Sequence, residues 1–392
     1  MGFDLDAIKN DFPRLKCIYL NNASSAPMPL VSIKAVTDFL IEYDEYGPDS
    51  SKMQDIIDDL INNTRKEVAE LINCKADEVV FTHSTTEGIN FVANGLNLRQ
   101  GDSIIIRDGE HEHPANYYAW LRLKYRGVSV KNLSIKDMYG NIDYEELRSI
   151  VGSIHGVKLI ALSHALFNTG LILPIEDIVN IVIKEQNSSS IHLFLDAAQS
   201  VGCVGVDVKR LGCSFMAFTA SKWLCGPPGL GVLYCSKDVS DSIEPIIIGG
   251  ESAFIHEGSL IYKEMPHKLQ AGFRSYALLA AFLESLRYIK RIGIAKIRNW
   301  NMYLADSIVD GLSSHSKIKL YVPDDNSRRT SIVSFEVSNA DSSKVVKELE
   351  RHGVVVAERS ILDKKVIRVS PHFFNSEDEI SKFITMLKAI LS

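Results

Sequence analysis

The stretch that decides the reading is LFLDAAQS at 193–200, followed by FTASKW at 218–223. Leu193 to Leu195 form an apolar run that reads as a buried strand, and Asp196 closes it. Gln199 follows Asp196 closely, and Lys222 comes after a second apolar strand, Phe215 to Phe218. Lysine is normally a solvated surface residue. Here it precedes Trp223, Leu224 and a turn rich in glycine and proline, and an apolar setting favours the neutral, nucleophilic amine.

Short apolar runs alternate with helix-period segments on both sides of this stretch. Strands are expected at 79–82, 103–106, 159–162, 193–195, 215–218 and 232–234, with helices such as 54–73, 143–152 and 174–186. Ser188 to Ser190 reads as a helix-to-strand turn. Such alternation gives an α/β fold with a mainly parallel sheet covered by helices. After residue 275 the pattern becomes α+β, with a long helical stretch at 276–314, strands at 330–337, 354–356 and 366–370, a helix near 341–352 and a closing helix. We expect a large domain over 16–265 and a smaller one built from 1–15 and 266–392.

The bulk numbers bound the function. The 392 residues carry a formal charge of -6, with basic side chains scattered, which argues against a nucleic-acid or anionic-membrane surface. The six cysteines form no CxxC or tight cluster, which favours a reduced cytoplasmic protein over a disulfide or zinc scaffold. MGFDLDAIKNDF is acidic and lacks the apolar core of a signal peptide, and Asp6 stands where myristoylation wants Ser or Thr. The apolar runs are too short to span a membrane.

A strand-end carboxylate with a lysine in an apolar turn has the chemistry to hold pyridoxal phosphate. Lys222 can condense with the aldehyde, and Asp196 can keep the pyridine nitrogen charged so that the ring withdraws electrons from the substrate Cα. Ser84-Thr-Thr-Glu87 matches a helix capping box behind the strand ending at Thr82, and a helix start there offers unpaired N–H groups to a phosphate. In GEHEHPAN (109–116), two histidines two apart invite a metal, but no third ligand is near, so no metal is assigned. No Walker or GxGxxG motif supports a nucleotide-binding alternative.

Five segments in order resemble the class V branch of the fold-type I pyridoxal-phosphate enzymes. They are YLNNASSAPMP (19–29), FTHSTTEGIN (81–90), EHPAN (112–116), DAAQS with TASK (196–222), and RVSPHFFNS (368–376). The branch includes cysteine desulfurases, cysteine C–S lyases, isopenicillin epimerase-like proteins and kynureninases. The resemblance implies the fold-type I transferase fold, with a seven-stranded sheet in the large domain and the N-terminal segment packed on the small one. It implies that Thr85, Thr86, Thr219 and Ser221 hold the phosphate and that Gln199 donates to the phenolic oxygen. His113, not His111, would stack on the ring and take part in proton transfer with Lys222 and Asp196. Arg368 would bind the α-carboxylate of a small amino acid, with Arg359 and Asn22 as further candidates. It also implies a homodimer with the active site near the interface.

Two positions depart from the family pattern. Ser221 replaces the usual histidine before the lysine, and Phe273 in LQAGFRSY (269–276) replaces a threonine that reaches the neighbouring subunit's phosphate, leaving Arg274 or Ser275 as substitutes. Desulfurases of the branch carry a persulfide-forming cysteine on a small-domain loop, but 353–368 holds none and the last cysteine is Cys235. The expected activity is therefore β-elimination from a small amino acid, desulfurase-like or C–S lyase, without a loop cysteine. NTGLILPI (168–175) resembles the lyase and epimerase-like branch. Class V transamination and epimerisation stand as alternatives, and a non-catalytic scaffold keeping the fold is the reading from another class.

Overall fold

The computed structural model describes residues 4–12, 15–154, 156–186 and 191–392; the turn expected at Ser188 to Ser190 lies outside them. Seven strands make the large sheet: β1 (Val79–Thr82), β2 (Ser103–Arg107), β3 (Ser129–Leu133), β4 (Val157–Ser163), β5 (His192–Asp196), β6 (Phe215–Thr219) and β7 (Gly231–Cys235). Their spatial order is β1-β7-β6-β5-β4-β2-β3. All neighbours run parallel except β7, which is antiparallel to both β1 and β6.

The sheet is buried on both faces, as parallel sheets are when helices cover them. Val79 and Phe81 join one apolar cluster while Val80 joins the other, and Ile105 alternates with Ile104 and Ile106 in the same way. The edge strand β3 has no counterpart in the sequence expectation. Its SVKNL has two apolar residues, and its middle stays partly or fully exposed, so it lacks the continuous apolar run of a central strand.

The covering helices include α1 (Leu30–Tyr46), α2 (Ser51–Ile72), α3 (Thr85–Gly95), α4 (Pro114–Leu121), α5 (Tyr144–Ser153) and α6 (Ile175–Gln186). The stretch 276–314, expected as one helical run, is two helices, α7 (Tyr276–Ile292) and α8 (Ile294–Ser313). Gly293 breaks it at φ 93°, a conformation that costs glycine nothing and other residues much. Helix α7 packs on α1 and α2.

A four-stranded antiparallel sheet follows: β8 (Ile318–Leu320), β9 (Val333–Val337), β10 (Ala357–Ile361) and β11 (Lys364–Val369), in the order β8-β9-β11-β10. Helices α8, α9 (Ser342–Arg351) and α10 (Glu377–Leu391) cover it, and Val333, Phe335 and Val337 alternate into their shared core. The N-terminal thread reaches this sheet. Ile18–Tyr19 pairs in parallel with Val354–Val355, and Asn21 bridges to Ser370. No helix among the described residues is long and apolar enough to cross a membrane.

Candidate active site

The carboxyl ends of β1, β4, β5 and β6 open onto one cavity of about 650 Å³, where open parallel sheets place their ligands. Asp196 ends β5 and Lys222 lies in the turn after β6; both line it. Burial raises the Asp196 carboxyl above its usual range, although the Ala198 N–H, donating at 2.9 Å, and the Lys222 charge pull it back. Burial likewise lowers Lys222 to about 8, opposed by Asp196 and reinforced by Arg368 and Arg359. The amine is thus available in its neutral form near neutral pH.

The turn carrying Lys222 is closed by its own backbone. The Cys225 N–H donates to the Lys222 carbonyl at 3.0 Å, and Cys225 takes a left-handed φ of 51° to close the turn. The Cys225 side chain is fully buried and burial holds its thiol protonated, so it packs the turn. Gln199 is clamped on both ends: Trp223 Nε1 donates to its Oε1 at 2.9 Å, and its Nε2 donates to the Ala23 carbonyl at 2.9 Å. One amide hydrogen of Gln199 is committed to the backbone, so the other is what remains for a ligand.

The start of α3 lies against the same cavity. Ser84 caps it, accepting from the Glu87 N–H at 3.1 Å. The expected reciprocal half of the capping box is different: the Glu87 carboxylate accepts from the N–H of His83, at 2.6 Å, rather than from Ser84. His83 follows the strand directly and its ring also meets Glu87 at 3.0 Å, which draws the carboxylate one residue back. Two glycines permit this close seating. A Cβ on Gly88 would lie 3.1 Å from Ala217 Cβ, and one on Gly231 would lie 2.7 Å from the Ser84 backbone. Thr85 and Thr86 line the cavity, and Thr85 Oγ1 is buried without a hydrogen-bond partner among the described residues. Thr219 and Ser221 bring further hydroxyls, 3.2 Å apart.

That orphaned hydroxyl, beside a helix start and two further hydroxyls, supplies the donors a phosphate monoester needs. With Lys222 and Asp196 on the same cavity, the residues present fit pyridoxal phosphate.

His113 caps α4, its Nδ1 accepting from the Ala115 N–H at 3.3 Å, which leaves the ring proton on Nε2. Its ring lines the cavity edge-on to Phe167, and crowding together with Lys222, Arg359 and Arg368 lowers it to about 4. It is therefore neutral at working pH. His111 points elsewhere: it is buried and bonded to Asn168 Oδ1 at 3.1 Å. Glu112 is buried and accepts from Asn116 and Ser163, so it serves the loop rather than a metal.

The small sheet contributes the opposite wall. Arg368 on β11 is 1 % exposed, and burial lowers it to about 9, helped by the Arg359 charge. Its Nη1 donates to the Phe167 carbonyl at 2.7 Å. Nη2 of Arg368 and Nη2 of Arg359 each donate to Ser24 Oγ at 2.6 Å, and Ser24 donates to Asn21 Oδ1 at 2.7 Å. Two guanidinium groups thus share one hydroxyl, and among the described residues they pair with no carboxylate and Arg368 Nε has no partner. Ser24 was not among the expected site residues; its signal was its place in YLNNASSAPMP. Asn22, which was expected there, does not line the cavity. It is fully buried and donates to the Ser370 carbonyl at 2.8 Å, pinning the thread to the small sheet. Asn168 of NTGLILPI donates to the Ser360 carbonyl at 3.0 Å, bracing β10 against the large sheet.

Comparison with known proteins agrees with this architecture. The family model described as Aminotransferase class-V matches residues 18–383. A probable cysteine desulfurase of Methanothermobacter thermautotrophicus is 31% identical over 389 residues, covering 95% of this chain and 94% of its own. The apo structure of a cysteine desulfurase from Thermococcus onnurineus NA1 superposes with a TM-score of 0.90 at 26% identity, covering 100% of this chain and 98% of that one. Two structures of C-DES superpose with TM-scores of 0.87. One is a variant with glycine covalently linked to the PLP cofactor, at 26% identity, covering 97% of this chain and 98% of that one. The other is the cystine C–S lyase with its reaction product cysteine persulfide, at 27% identity, covering 96% and 98%. With the match running almost end to end, the chain belongs to the class-V aminotransferase family.

Proposed function

We propose that this chain is a pyridoxal-phosphate-dependent enzyme that eliminates the β-substituent of a small sulfur amino acid, as a desulfurase-like or C–S lyase activity. One observation carries the reading: a buried lysine and a strand-end aspartate face, across one cavity, two guanidinium groups that pair with no carboxylate among the described residues. The cofactor, when bound, supplies an electron sink for charge developing at the substrate Cα. Lys222, Asp196, His113, Gln199, Thr85, Thr86, Thr219 and Ser221 would hold it. Arg368 and Arg359 offer the planar donors that a substrate α-carboxylate requires. Ser24 holds both at one point, so the carboxylate is captured at a fixed place relative to Lys222. The neutral amine of Lys222 takes the Cα proton.

The fate of sulfur follows from the hairpin that carries Arg359. Only Leu362 and Asp363 separate β10 from β11, and no cysteine lies on either strand. Sulfur therefore leaves as a small-molecule sulfide or persulfide and is not taken up by a cysteine of this hairpin. The relatives named cysteine desulfurase and cystine C–S lyase act on that substrate class.

The active unit is a homodimer. The hairpin Ala253–His256 with Ser259–Tyr262 exposes Phe254, Ile255, Leu260 and Ile261. Successive strand residues point to opposite faces, so both faces are apolar and uncovered, as expected of a surface buried by a second copy. The six cysteines are free thiols, in keeping with a reducing cytoplasm.

Incubation with cysteine and with cystine tests the reaction. Elimination from cysteine consumes water and yields equimolar pyruvate, ammonia and sulfide; cystine yields cysteine persulfide in place of sulfide. Amino transfer to an added oxoacid without pyruvate would instead establish a transaminase, and change at Cα alone an epimerase. A protein that takes up no cofactor and forms no borohydride-trapped adduct at Lys222 would be a scaffold.

A further inference from the structure

His111, the histidine that turns away from the cavity, is joined to the arginine pair through one amide. Asn168 is fully buried; its Oδ1 accepts from the Thr169 N–H at 3.0 Å, and its Nδ2 donates to the Ser360 carbonyl at 3.0 Å. Those two contacts fix which end of the amide is oxygen and which is nitrogen. Oδ1 therefore faces His111 Nδ1, 3.1 Å away, as an acceptor, and the imidazole carries its proton on Nδ1. Burial and the Arg107 charge lower His111 to about 4, so the ring is neutral and Nε2 is bare; that atom is buried without a partner among the described residues. The Gly140 backbone lies close against the ring, where a Cβ would fall 3.2 Å from His111 Cγ.

Two consecutive residues thereby reach three strands of the small sheet. The Phe167 carbonyl accepts from Arg368 on β11, the Asn168 carbonyl accepts from the Ser334 hydroxyl on β9, and the Asn168 amide holds Ser360 on β10, next to Arg359. The Arg359 charge acts on Arg368, so the two guanidinium groups meet at Ser24 against their own repulsion. A carboxylate would hold them together more strongly, but it would also occupy them. A neutral amide gripping the strand backbone fixes Arg359 in place and leaves its planar fork for a ligand. On the reading of the two arginines as the carboxylate clasp, we propose that Asn168, oriented by His111, is a positioning residue that sets Arg359 beside Arg368 for the substrate α-carboxylate. Neither Asn168 nor His111 lines the cavity, so both act through β10.

Glycine and methylamine separate this role from plain packing, because both offer an amine and only glycine carries a carboxylate. Each is titrated into cofactor-loaded wild type, Asn168→Ala, His111→Gln and His111→Asn, with affinity read from the cofactor absorbance. Asparagine sets its amide nitrogen near the place of Nδ1 and glutamine near that of Nε2, so only His111→Asn keeps the donor to Asn168. Glycine affinity should fall roughly three- to tenfold in Asn168→Ala and His111→Gln and recover in His111→Asn, while methylamine affinity stays put. Hydrogen exchange of the cofactor-free proteins reads the link itself. Amides of 357–369 should exchange faster in Asn168→Ala and His111→Gln than in wild type and His111→Asn. Unchanged exchange in folded variants, or a parallel loss of affinity for both amines, would overturn the proposal. Should Asn168→Ala not fold, the contrast between the two His111 variants decides alone. If wild type takes up neither amine while the exchange pattern holds, the pyridoxal-phosphate reading fails and the link from His111 to β10 stands.

Discussion

Thr85→Val separates the cost of an empty phosphate cradle from its benefit when filled. The buried Thr85 hydroxyl has no partner, so cofactor-free protein carries an unsatisfied polar group, worth about 1–3 kcal/mol of destabilisation. Replacing hydroxyl by methyl removes that penalty at nearly constant volume. Cofactor-free Thr85→Val should therefore unfold at equal or higher denaturant, by up to about 1 kcal/mol once imperfect packing is allowed for. In the loaded protein the same hydroxyl gives a charge-assisted bond worth about 1.5–3 kcal/mol, so cofactor affinity should fall roughly ten- to hundredfold. Urea denaturation of the stripped protein and an absorbance titration with pyridoxal phosphate read the two effects separately. A variant that destabilises the stripped protein while leaving affinity unchanged would show that Thr85 faces the packing rather than the ligand.

Other perturbations follow from the same geometry. Lys222→Ala should abolish turnover and the borohydride-trapped adduct, checked by peptide mass spectrometry; surviving wild-type activity would sink the mechanism. Because folding lowers Lys222 from 10.5 to about 8, the unfolded chain binds more protons between those values, so stripped protein should gain stability as pH rises from 8 toward 10.5. Lys222→Met should flatten that rise in urea midpoints measured across the range. Arg368→Lys keeps the charge but loses the planar fork, and should raise KM about tenfold or more with a smaller effect on kcat in steady-state assays. Gly231→Ala sets a methyl 2.7 Å from the Ser84 backbone, and calorimetric unfolding should show a loss of about 1–3 kcal/mol.

The grouping of residues at the proposed cofactor end was legible because its parts are local. Asp196, Gln199, Thr219 and Lys222 lie on two adjacent strand ends, and a strand end followed by a turn is visible in a single line of sequence. The substrate end was legible only in part. Arg368 and Arg359 come from neighbouring strands of another sheet, and what joins them is Ser24, more than three hundred residues away in the chain. No spacing rule reports such a contact, so the sequence pointed to Asn22 and passed over Ser24. The capping box failed in one half for a local reason, because the His83 N–H, one residue ahead of the cap, takes Glu87 instead. Edge strand β3 escaped notice since an exposed strand needs no apolar run, and the break at Gly293 was hidden inside an otherwise unbroken helical pattern.

The N-terminal thread has a practical consequence for anyone handling this protein. Leu20 is stitched to Val355 and Ser370, and Ala26 to the Ser221 carbonyl, with Ser24 between them touching both arginines. Trimming to residue 26, or fusing a bulky tag close ahead of Ile18, should leave the proposed coenzyme pocket largely furnished yet unhitch the proposed clasp for the amino acid. Such a preparation would stay yellow and be almost inert, and a colour test alone would pass it as sound.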